Sequence, residues 1–91
     1  MINLNTVQRV HFIGIAGAGI RAIANIFIEK GFTVSGSDLR VSPTTDRFEK
    51  MGARICIGQR PENLQDAQVV VISSAIRENN PELQEARRRD I

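Results

Sequence analysis

Two hydrophobic periods alternate along this chain. Val10, Phe12 and Ile13 form an apolar, β-prone run. Ile20, Ile23, Ala24, Phe27 and Ile28 then recur at i, i+3, i+4, i+7 and i+8, which is one face of a helix. The pattern predicts a polar lead-in over 1–8, strand one over 9–15 and helix one over 18–30, with Arg21, Asn25 and Glu29 on the wet side. Gly31 is expected to stop that helix in the left-handed conformation. Strand two is predicted over 32–37 and a loop over 38–41. A second helix follows, capped by Ser42 with Pro43 in its first turn, and Thr44, Phe48 and Met51 are expected to share its buried face. Strand three is expected over 53–57 and a helical turn over 61–64. Val69, Val70, Val71 and Ile72 lie inside strand four, over 68–74. That unbroken apolar run suits a central parallel strand covered on both faces. Asn80 and Pro81 open a last helix, which ends near Arg87, Arg88 and Arg89.

Strands separated by helices imply right-handed crossovers and a parallel sheet with helices on both faces. The predicted class is therefore α/β, Rossmann-like, with strand order 3-2-1-4. Ile91 reads as the first residue of a truncated fifth strand. Residues 1–91 read as a single domain, the N-terminal part of something longer.

The junction between strand one and helix one carries the chemistry. Residues 11–20 read H-F-I-G-I-A-G-A-G-I. Such a turn lets backbone approach a ligand and presents the free N–H groups and positive dipole end of a helix N-terminus, which favour an anion such as a phosphate. Gly14 and Gly19 fit the first and third places of the dinucleotide fingerprint G-x-G-x-x-G, and Ala16 takes the second. The third glycine normally permits close packing of helix on strand. Asp38 ends strand two about 20 residues further on, where an acid accepts hydrogen bonds from ribose hydroxyls; the alternative is an Asp that merely opens a loop. Ser73 and Ser74 end strand four and either donate to a phosphate or ribose or serve as turn hydroxyls.

Composition changes this picture only by exclusion. A net charge of +2, with no Trp and no Tyr, gives little for nucleic acid to bind. No apolar run is long enough for a membrane span, and no signal peptide is visible. Cys56 is the only cysteine, so there is no disulfide framework, and a cytoplasmic setting is expected. Cys56 reads as a small core residue, His11 as a packed strand histidine, Arg21 as a solvated helix residue and Arg87–Arg89 as a helix end. There is no G-x-x-x-x-G-K-[ST] loop, no nucleophile elbow and no acid–base pair, so a binding site is visible without catalytic machinery.

Together with S-G-S-D-L at 35–39, R-P-E-N-L at 60–64 and V-V-I-S-S-A-I at 70–76, the glycine turn resembles the N-terminal domain of the Mur ligases. That family usually carries H-x-x-G-I-G-G-x-G-M, from which Ala16 and Ile20 depart. Within it, the motifs lie nearest the branch whose incoming amine is L-alanine, with a muropeptide-recycling branch as a near rival. The resemblance implies a Rossmann-like domain that holds the UDP part of UDP-N-acetylmuramate. It implies central and C-terminal domains in cis that hold ATP with Mg²⁺, and no cofactor, metal or catalytic residue within this stretch. Gly17, Ala18 and Gly19 would then offer backbone N–H groups to the diphosphate, with Gly14, Ala16 and Ile20 also in the UDP site. Ser37, Asp38 and Leu39 would lie at the uridine, and Ser73, Ser74 and Ala75 along the ribose-phosphate side. Two readings from other classes stay open: an NAD(P)-binding half of an oxidoreductase, and a nucleotide-sensing regulatory module.

Overall fold

The computed structural model describes residues 6–91; the first five residues of the predicted lead-in lie outside them. The elements are β1 (Arg9–Ile13), α1 (Ile20–Glu29), β2 (Thr33–Asp38), α2 (Pro43–Lys50), β3 (Arg54–Ile57), a 3-10 turn (Pro61–Leu64), β4 (Val69–Val71) and α3 (Pro81–Arg88). The strands form one parallel sheet in the order β3-β2-β1-β4, as the pattern of alternating strands and helices predicts. In register, Val10 lies beside Val34 and Val69, and Gly36 beside Ile55.

Side chains alternate across the sheet. One set, Val10, Phe12 and Val34, packs with Ile15, Ile20, Ala24, Phe48 and Ala53 into the apolar core beneath α1 and α2. The Phe27 ring meets Phe12 edge-on at 5.8 Å. The other set faces α3 and the 3-10 turn.

Local chemistry sets the element ends. Ser42 and Thr45 form a reciprocal capping box at α2, which buries Thr45 beside Phe48 and leaves Thr44 and Met51 half-buried. Gly31 takes φ +89, and the N–H of Phe32 reaches back to the carbonyl of Phe27, as expected for a left-handed helix stop. α1 starts at Ile20 rather than residue 18, because the Gly17 carbonyl already accepts from Ile20 and Arg21. Ile23, expected on the buried stripe, is 42% exposed at its margin.

Near the C-terminal end β4 is shorter than expected: it has three residues, all half-buried, and no strand pairs with its outer side among the described residues. Ile91 lies in no strand among the described residues. Its N–H donates to Ala86 and that of Asp90 to Arg87, so both residues complete the C-terminal cap of α3.

Candidate functional site

At the carboxyl ends of β1 and β2 lies a cavity of about 510 Å³. Its walls include Gly14, Asp38 and Leu39 on the strand side, Ala75 and Arg77 after β4, and Asn79 and Asn80 at the start of α3. Its position fits the rule for open α/β sheets, in which ligands sit beyond the strand ends where the chain order reverses. A smaller cavity of about 170 Å³ lies at the opposite ends of the strands. Its cations are engaged: Arg9 pairs with Asp66, and Arg54 donates to the Cys56 sulfur and the Asn63 carbonyl.

The glycine turn is held from β2. The Ser37 carbonyl accepts from the N–H groups of both Gly14 and Ile15, at 2.9 and 3.0 Å. Gly14 takes φ +77 there. Asp38 then closes over the turn. Its Oδ2 accepts from the Ala16 N–H at 3.0 Å and its Oδ1 from the Leu39 N–H at 2.8 Å. The residue at the second fingerprint place thus directs its amide at the acid of β2. Gly17 bonds inward, its N–H to the Gly14 carbonyl. Ala18 and Gly19 stand exposed ahead of α1.

Of the residues singled out in the sequence, Gly14, Asp38, Leu39 and Ala75 meet around the cavity. Ile20 is buried in the core, and its N–H is taken by Gly17. Ser37 is also buried, behind the cavity wall. Ser73 accepts from the Ala75 N–H and shapes the turn, and neither it nor Ser74 lines the cavity. The third glycine differs from expectation. Gly19 has φ −86, and a Cβ there would meet nothing within 4 Å, so it does not mediate close packing. Gly36 does: a Cβ on it would fall 2.5 Å from the Ile15 side chain. Sequence reasoning also missed Gln59, Ile76, Arg77, Asn79 and Asn80 in the wall. The N-P-E run at 80–82 was the available signal, read there only as a helix cap.

Behind this wall lies a buried polar cluster. Glu82, on the first turn of α3, is fully buried. Its Oε1 accepts from His11 Nε2 at 2.6 Å and Ser37 Oγ at 2.8 Å. Its Oε2 accepts from the Arg60 N–H at 3.1 Å and Asn63 Nδ2 at 2.8 Å. His11 Nδ1 meets Ser35 Oγ at 2.7 Å, and a carboxylate at Nε2 makes that nitrogen the donor. Burial alone would push the Glu82 carboxyl up, but the hydrogen bonds from His11, Asn63 and Ser37 together hold it below the usual carboxylate value. His11 is the packed strand histidine the sequence suggested, whereas Cys56 is only half-buried, against the expectation of a core residue. Among the described residues no group of three His, Cys, Asp or Glu could hold a metal ion, and no helix is long and apolar enough to cross a membrane.

Strand, glycine turn, helix and crevice at the strand ends define a Rossmann-like α/β domain. Comparison with known proteins agrees. The crystal structure of UDP-N-acetylmuramate-alanine ligase from Thermotoga maritima superposes with a TM-score of 0.87 at 31% identity, over 92% of this chain and 20% of that one. The UDP-N-acetylmuramate:L-alanyl-gamma-D-glutamyl-meso-diaminopimelate ligase from Neisseria meningitides gives 0.82 at 26% identity, over 94% and 28%. UDP-N-acetylmuramate–L-alanine ligase from Aquifex aeolicus is 54% identical over 85 residues, which is 93% of this chain and 19% of the relative. Residues 9–91 match the family described as Mur ligase family, catalytic domain, and the chain belongs to that family. It spans about a fifth of the length of the curated relatives it matches.

Proposed function

We propose that this chain holds the UDP part of UDP-N-acetylmuramate, as the N-terminal domain of an ATP-dependent cytoplasmic ligase that adds L-alanine in peptidoglycan-precursor synthesis. The observation that carries the reading is the crevice itself. Gly14, Asp38 and Leu39 form one wall and Ala75 and Arg77 the other, in a volume within the range of small-molecule sites. The names of the relatives, which ligate UDP-N-acetylmuramate, support that choice of ligand.

The chemistry of each wall suits the parts of that ligand. The amides of Ala18 and Gly19, exposed ahead of α1 and outside the cavity lining, and the Arg77 guanidinium within it favour a diphosphate that runs from the crevice toward α1. Asp38 and the backbone beside Leu39 offer acceptors and donors to ribose and uracil edges. With Ala16 bonded to Asp38, the diphosphate is expected nearer Ala18 and Gly19 than residue 16. The chain has no lysine-bearing phosphate loop and no metal-ligand cluster among its described residues. By resemblance to the family, ATP and Mg²⁺ are assigned to the other domains of the whole ligase, which join this one in cis. There they would activate the muramyl carboxylate for attack by the L-alanine amine.

Calorimetric titration with UDP and with NAD tests the reading. UDP is expected to bind and NAD to bind more weakly; tighter NAD binding would overturn it. Asp38→Asn is expected to weaken UDP about 10-fold, the low end for one hydrogen bond to a charged acceptor, with a modestly lowered thermal melt, since its NH₂ must face either the Ala16 or the Leu39 amide.

A further inference from the structure

Three parts of the molecule are left over from the crevice: His11, the R-P-E-N-L segment at 60–64 and Glu82. They meet at one carboxylate. Its four donors come from four places: His11 on β1, Ser37 on β2, the Arg60 amide ahead of the 3-10 turn, and Asn63 within it. A buried carboxylate on a helix is an expensive choice where an apolar side chain would pack. Its partners show what it joins. Ser37 adjoins Asp38, and its carbonyl holds the glycine turn. Arg60 adjoins Gln59, which lines the crevice and accepts from Asn80 Nδ2 at 2.7 Å. Asn80 in turn lines the crevice and caps α3 two residues before Glu82, accepting from the N–H groups of Glu82 and Leu83. β1 runs from His11 directly into Gly14.

We propose that Glu82 is a positioning residue for the crevice: by binding β1, β2 and the 60–63 segment at once, it fixes the α3 wall opposite the glycine-turn wall. The carboxylate touches no ligand and acts through Ser37, Gln59 and Asn80. The proposal rests on the nucleotide reading of the crevice. The choice of an acid follows from hydrogen-bond sense. Both oxygens face two donors each, and an amide at 82 would turn an NH₂ group toward two of them.

Glu82→Gln separates this role from a general contribution to folding. The 91-residue variant is compared with wild type by UDP calorimetry well below its melting temperature and by amide NMR spectra without ligand. The folded variant is expected to bind UDP about 10-fold or more weakly, as displaced binding groups do. The amides of Gly14, Ala16, Leu39 and Asn79 are expected to shift, while those of Ala24 and Phe48 on the opposite face stay. Asn63→Ala removes one donor and leaves the carboxylate three, so a smaller change in the same direction is expected. Folded Glu82→Gln with wild-type UDP affinity and unmoved crevice amides would overturn the proposal. If Glu82→Gln does not fold, unmoved crevice amides in Asn63→Ala would do the same. Should wild type itself not bind UDP, the nucleotide reading fails, and the ligand-free amide shifts still decide whether Glu82 sets the walls.

Discussion

The two faces of the sheet are built from different material. Under α1 and α2, Val10, Phe12 and Val34 meet Ile20, Ala24 and Phe48. Under α3, His11 and Ser37 meet Glu82, and Ser35 meets His11. Dispersion and burial on the first face have no direction, so that face tolerates small shifts and supplies cohesion. Hydrogen bonds on the second are directional, and a buried group left without a partner is costly. The second face also buries Ile13, Leu64, Leu83 and Ala86, so what separates the two is the directional polar cluster set among those apolar side chains.

The largest effect should follow from breaking the polar face. Glu82→Ala leaves four donors facing a void and is expected to lose about 3–5 kcal/mol in urea unfolding. Replacing both members of the pair, His11→Leu with Glu82→Met, is expected to lose less than Glu82→Ala alone, since the void is filled and three donors rather than four are left without a partner. Losses that simply add would erase the distinction between the faces. Gly36→Ala comes next. Its new methyl would meet Ile15, and overpacking is expected to lower stability by about 1–3 kcal/mol on the same assay.

Acid sharpens the contrast through linkage. The folded Glu82 carboxyl lies below its reference of 4.5, so the stability it contributes is present above that value. It is lost as pH falls through the folded pKa. Wild type is expected to lose urea resistance on acidification more steeply than the His11→Leu, Glu82→Met protein; parallel pH profiles would remove Glu82 from the account. The smallest effect is reserved for Gly19→Ala. With ordinary φ and open space around it, a change in stability below about 1 kcal/mol is expected on the same urea assay.

This contrast also explains what could be read from the chain in advance. The apolar face announces itself through period: Ile20, Ala24, Phe27 and Ile28 mark α1, and Ser42 and Pro43 mark the start of α2. Strand order followed from connection rules, and the crevice from the positions of Gly14 and Asp38. The polar face has no period. His11, Asn63 and Glu82 are each ordinary where they stand in the sequence, and only the fold brings positions 11, 37, 63 and 82 to one point. Glycine roles failed for a related reason. A fingerprint records spacing, whereas the close contact at Gly36 depends on which side chain β2 meets across the turn, and Gly36 lies outside the fingerprint.

That contact has a consequence for how this domain can change over generations. With the Ile15 side chain 2.5 Å from where a Cβ would stand, positions 15 and 36 cannot drift independently. Because the Ile15 Cβ itself lies 2.6 Å from that point, a lineage that enlarges residue 36 must first reduce residue 15 to glycine or shift the turn, and the reverse order passes through a strained intermediate. The pair is an epistatic lock between the glycine turn and β2, and mutational histories that cross it should run in one order only.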